Sequence, residues 1–148
     1  MKKYFIVAGE PSGDLHGSKL IKAIKHLNPN SSFMGHGGDS MRNEGMHIIE
    51  HVDSLAIMGF AEVLRHLPRM NKIMRNTVGA IERSKPDRVI LIDYPGFNLR
   101  LAKRLSPLKI PITYFILPQA WAWKQRRVEV LKRFIDQSIS IFPFENDW

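Results

Sequence analysis

Three loops of this chain concentrate the side chains able to do acid–base or binding chemistry. The first is GEPSGDLHG, residues 9–17, where Glu10, Ser12 and Asp14 bring a carboxylate, a hydroxyl and a second carboxylate into one turn. Gly9, Gly13 and Gly17 recur through it, which lets the backbone approach a ligand or a neighbouring strand closely. Ser12 and Asp14 have a second use as caps of a following helix, and Glu10 has none. The next loop opens at Asp93, which closes an apolar strand and leads into YPGFN. A carboxylate so placed can face an open crevice as a general base, and an aspartate that only starts a turn reads the same way. Asn98 fits either a polar ligand contact or a helix cap. In the third loop, PQAWAW at 118–123, Trp121 and Trp123 precede a basic run of Lys124, Arg126 and Arg127. Paired aromatic groups in a loop suit a binding surface, and the cations suit a phosphate, an acidic membrane or simply a solvated helix face.

Spacing argues against other chemistries. The glycine loop is neither the dinucleotide GxGxxG nor a Walker loop, so neither a nicotinamide nor a nucleoside triphosphate is expected. Residues 47–51 spell HxxEH, which serves zinc only when both histidines project from one helix face. The letters around it favour a strand, which holds the pair too far apart for one ion. No metal site and no cofactor are expected.

The elements that carry these loops alternate short β-rich apolar runs with amphipathic segments, the pattern of stacked βαβ units on a parallel sheet. Strands are expected at Tyr4 to Ala8, Ser32 to Gly35, His47 to Val52, Arg88 to Ile92, Ile110 to Leu117 and Ser138 to Phe142. Helical spacing runs from Leu15 to Leu27, from Phe60 to Ile81 with Pro68 starting or kinking a helix, from Phe97 to Leu108 and from Val128 to Ile135. The fold class is therefore α/β, a Rossmann-like three-layer domain with a mostly parallel sheet, and its ligand loops share the carboxyl edge. The tail FPFENDW follows a strand directly, as at a domain boundary.

At 148 residues with 44% apolar content the chain suffices for one domain with a real core. It has no cysteine, which removes disulfides, thiol nucleophiles and cysteine zinc sites and fits a reducing cytoplasm. Neither a secretion signal nor an apolar run long enough to span a membrane is visible, so any membrane contact is peripheral. A net charge of +8 favours an anionic partner. Nucleic acid is not expected, because no RRM, KH, helix-turn-helix or zinc-finger pattern accompanies the charge.

Taken in order, AGEPSGDLHG (8–17), GHGGDSM (35–41), MGFAEVLRHLP (58–68), PD (86–87), IDYPGFN (92–98), PQAWAW (118–123) and IFPFE (141–145) closely resemble lipid-A-disaccharide synthases. The resemblance implies the N-terminal half of a two-domain GT-B-type glycosyltransferase, with residues 1–148 as the acceptor-side domain and the sugar-nucleotide domain absent from this chain. It implies transfer of a diacylated glucosamine from a UDP-sugar donor to a lipid-linked sugar acceptor, diacylglucosamine 1-phosphate, with inversion, at the cytoplasmic membrane surface. Asp93 is then the first candidate for the base and Glu10 the second. Ser12, Asp14 and Asn98 would orient the acceptor, Trp121 and Trp123 would line its site, and Lys124, Arg126 and Arg127 would neutralise its phosphate. Met58 and Phe60, in the apolar stretch from Leu55, would meet its acyl chains unless that stretch is core. Family members often carry an acid where this chain has Gly96, which leaves Asp93 as the only carboxylate of its turn. With no DxD in the chain, metal-independent chemistry is expected, and this half alone is expected to be inactive. The alternative is a stand-alone module that binds lipids or anionic ligands.

Overall fold

The computed structural model describes residues 1–56, 63–116 and 125–140. Among them the chain runs β1 (Lys3–Ala8), α1 (Pro11–Leu27), β2 (Ser32–Gly37), α2 (Asp39–Asn43), β3 (His47–His51), α3 (Val52–Ala56), α4 (Val63–Ser84), β4 (Arg88–Ile92), α5 (Pro95–Leu105), β5 (Ile112–Ile116), α6 (Gln125–Phe134) and β6 (Gln137–Ser140). Every strand pairing is parallel, and the order across the sheet is β3-β2-β1-β4-β5-β6. That is the doubly wound Rossmann order, with its switch point between β1 and β4.

Strands buried on both faces read as continuous apolar runs, and β1 and β4 are the clearest cases. Phe5, Val7, Val89 and Leu91 face one side, where they meet Ile73, Met74 and Ile81 of α4 and Phe97, Leu101 and Leu105 of α5. Ile6, Ala8, Ile90 and Ile92 face the other, against Ile21 of α1, Met41 of α2 and Val52 of α3. Three layers result.

The structure adds two short helices that periodicity does not show, because α2 and α3 are five residues each, little more than one turn. Of the two roles expected for Pro68, it does not start a helix but lies inside α4. The apolar period through Leu108 overruns its helix: α5 ends at Leu105, and Ser106–Leu108 tighten into a 3-10 turn around Pro107. Leu55 is core, 3% exposed, which withdraws it from the acyl-contact stretch. Residues 47–51 are strand β3, not helix.

Candidate functional site

Because Ala8 of β1 pairs with Ile92 of β4, the loops that follow these strands leave the sheet side by side at its carboxyl edge. They pack on each other directly. A β-carbon on Gly9 would fall 2.3 Å from ring carbons of Tyr94, so only glycine lets the half-buried ring lie over this backbone. Burial, and secondarily the negative charge of Glu10, raises the Tyr94 hydroxyl pKa.

Glu10 occupies the cap position of α1 with extended backbone, yet its side chain makes no cap bond. Pro11 follows at the first turn, where its missing N–H is not needed. The Glu10 carboxylate is exposed and in no hydrogen bond or ion pair among the described residues. Ser12, the second residue of α1, is exposed as well.

Asp93 is 9% exposed and has φ 41°, followed by Tyr94 at φ 51°. Two consecutive non-glycine residues in the left-handed region are unfavourable, and such strain persists only where neighbours hold it. Here Asn98 Nδ2 and the Tyr114 hydroxyl both donate to the Asp93 carbonyl oxygen. The Asp93 N–H donates to the Phe115 carbonyl at 2.8 Å. Gly96, in the first turn of α5, opens on free space: a β-carbon there would meet nothing within 4 Å.

Two of the residues expected to contact the substrate are buried. Asn98 is fully enclosed, and its amide also reaches the carbonyls of Val7 and Ile92 at 3.3 Å, so it fastens the ends of β1 and β4 together. It lies within α5 and does not cap it. Asp14 is 7% exposed, and its carboxylate accepts backbone N–H bonds from Gly38 at 2.7 Å, Met41 at 3.0 Å and Ser40 at 3.1 Å. Instead of capping its own helix it caps α2 across the neighbouring loop.

Asp39 opens α2, and its exposed carboxylate is lowered in pKa by a hydrogen bond with His51, then by the His51 and Arg42 charges. No group of three or more His, Asp or Glu able to hold a metal occurs among the described residues. His36, at the carboxyl end of β2, lies within the GHGGDSM segment, but nothing in the sequence assigns it a role. It is 1% exposed, and burial lowers its pKa to about 4, so the ring is neutral. Thr77 Oγ1 donates to the Ile73 carbonyl at 2.6 Å and therefore accepts the His36 Nε2–H at 3.0 Å, which leaves Nδ1 as a buried acceptor without a partner among the described residues.

Met58, Phe60, Trp121, Trp123 and Lys124 lie outside the described residues. Arg126 and Arg127 fall on α6, where only their backbone is described; farther along, Lys132 and Arg133 are exposed, with Arg133 5.3 Å from the Phe134 ring centroid.

Parallel strands in this order, with polar loops gathered at the switch point, define an α/β domain of the Rossmann-like class. Solved structures share the fold: UDP-GlcNAc 2-epimerase from Neisseria meningitidis bound to UDP-GlcNAc (TM-score 0.62, 12% identity, 95% of this chain and 40% of that one) and a putative UDP-N-acetylglucosamine 2-epimerase from Listeria monocytogenes (0.63, 10%, 99% and 40%). The family model for lipid-A-disaccharide synthetase matches residues 4–148. Lipid-A-disaccharide synthases of Myxococcus xanthus and Koribacter versatilis are 39% and 40% identical over 99% and 100% of this chain. The chain belongs to the lipid-A-disaccharide synthetase family, and it spans 38% and 39% of the length of those two relatives.

Proposed function

We propose that this chain is the acceptor-side half of a glycosyltransferase of lipid A biosynthesis. In that reaction 2,3-diacylglucosamine moves from UDP to 2,3-diacylglucosamine 1-phosphate, giving the disaccharide 1-phosphate and UDP. The observation that carries this reading is the family match across residues 4–148. The acceptor's 6' hydroxyl loses its proton as its oxygen attacks the anomeric carbon and UDP leaves, so a carboxylate must stand within hydrogen-bond reach. Asp93 and Glu10 are the two carboxylates at the ends of the paired strands β4 and β1. The strain held at Asp93 favours it as the base, and the openness of Glu10 makes it the alternative.

The same reading puts the chain at a membrane surface. No helix of the described residues is long and apolar enough to cross one. A groove of about 280 Å³ between α4 and α5 supports peripheral contact: Met70, Met74 and Phe97 line it together with Arg100, Lys103 and Arg104. The exposed Lys132 and Arg133 of α6 add to the basic surface.

The test is a transferase assay on the 148-residue chain alone and joined to the carboxyl-terminal remainder of the Myxococcus xanthus relative. Turnover is expected only in the joined polypeptide, and UDP release by the chain alone would refute the half-enzyme reading. In the joined polypeptide Asp93→Asn is expected to lower kcat about 10²-fold or more with little change in KM. A near-normal kcat moves the role to Glu10, with Glu10→Gln as the companion variant.

A further inference from the structure

We infer that Tyr114 is a positioning residue for the Asp93 carboxylate, because its buried hydroxyl holds the left-handed Asp93–Tyr94 turn in place. The inference rests on the reading of Asp93 as the base. Tyr114 stands in β5 opposite Leu91, fully buried within the core that α4 and α5 cover. Its ring fills space that a phenylalanine ring would fill equally well, so packing alone does not call for a tyrosine. What the hydroxyl adds is a bond to the Asp93 carbonyl oxygen.

That carbonyl has two lone pairs, and two side chains from different elements use them: Tyr114 from β5 and Asn98, at 2.8 Å, from α5. Together they fix the peptide plane between Asp93 and Tyr94, the unit that joins the two residues with positive φ, 41° and 51°. Left-handed backbone is unfavourable for residues with a β-carbon, so with one of the two donors removed the plane is held less firmly against rotation toward an ordinary turn. The Asp93 side chain leaves the same α-carbon, and this rotation would displace its carboxylate. A displacement of about 1 Å at a reacting group is enough for roughly a 10²-fold loss of rate.

Tyr114→Phe removes only the oxygen. In the 148-residue chain, amide exchange of Asn98, whose N–H bonds the Tyr94 carbonyl at 3.0 Å, is expected to quicken at least about tenfold, while Ile6 and Leu91 of the core strands keep their rates. In the joined polypeptide the same change is expected to lower kcat about 10- to 100-fold with KM little altered, and to cost nothing further in the Asp93→Asn background. Unchanged Asn98 exchange overturns the proposal, and so does equal quickening throughout the core, which marks a general loss of stability. A full additional loss on top of Asp93→Asn overturns it too. Near-normal kcat in Asp93→Asn alone instead removes the base assignment, whatever the exchange rates show.

Discussion

Replacing Asp14 by alanine separates the two uses its loop allows, ligand contact and structural cap. Hydrogen bonds to charged groups contribute about 1.5–3 kcal/mol each. The three that Asp14 accepts share one carboxylate, and the Ser40 bond is only partly buried, so they do not simply add. Alanine also strands the buried N–H groups of Gly38 and Met41, at about 1–3 kcal/mol apiece. We expect a loss of about 3–4 kcal/mol, above the 0.5–2 kcal/mol or so typical of a helix cap. Urea unfolding followed by circular dichroism reads this directly. With a slope of about 2 kcal/mol per molar, the midpoint falls by about 1.5–2 M. Gly38 provides an internal check, since a β-carbon there would sit 2.6 Å from Asp14 Oδ2. Gly38→Ala should therefore destabilise the natural chain and cost clearly less once Asp14 is alanine. A midpoint lowered by less than about 0.5 M would refute the cap and return Asp14 to the ligand contacts.

His36 gives a pH signature. Its folded pKa of about 4 lies below the ordinary 6.5, so the unfolded chain takes up this proton first as pH falls. Stability is full above pH 6.5 and is lost toward pH 4, by up to about 3 kcal/mol at roughly 1.36 kcal/mol per pH unit. His36→Gln should remove that part of the pH dependence of the urea midpoint, and an identical profile in both chains would contradict it. Vesicle sedimentation tests the membrane reading. Binding should require anionic lipid, at about 1 kcal/mol per basic residue near the surface, weaken as salt shortens the Debye length, and fall further when Met58 and Phe60 become serine. Equal binding to neutral vesicles would remove the electrostatic part.

The sheet was legible because both signals that mark a parallel α/β fold are strong here. Strands buried on two faces leave unbroken apolar runs such as VILI at 89–92, and long helices leave the 3.6-residue period of Leu20, Ile21, Ile24 and Leu27. Strand order lies beyond such patterns, but the right-handed crossover rule leaves few alternatives. The short α2 was not legible, since its stability comes from a side chain more than twenty residues away, Asp14. Distance in sequence hid His36 in the same way: its partner Thr77 is 41 residues on. Residue type alone also could not separate Asp14 from Glu10. Both are carboxylates of one loop, yet α1 turns the first inward to the Gly38 loop and leaves the second at the cap position facing water.

This sorting explains why a motif so rich in polar letters leaves so few of them free. An edge that binds a ligand needs loops held in shapes their backbones would not choose, and that holding itself consumes polar side chains. Asp14 is used on the Gly38 loop, and Asn98 and Tyr114 are used on the Asp93 turn. A glycine at position 94 would relieve one of the two left-handed residues, but it would also remove the ring that covers Gly9 beside Glu10. The strain at Asp93 and Tyr94 and the closeness of the two loops are thus one feature, which brings the ends of β1 and β4 together with a carboxylate on each.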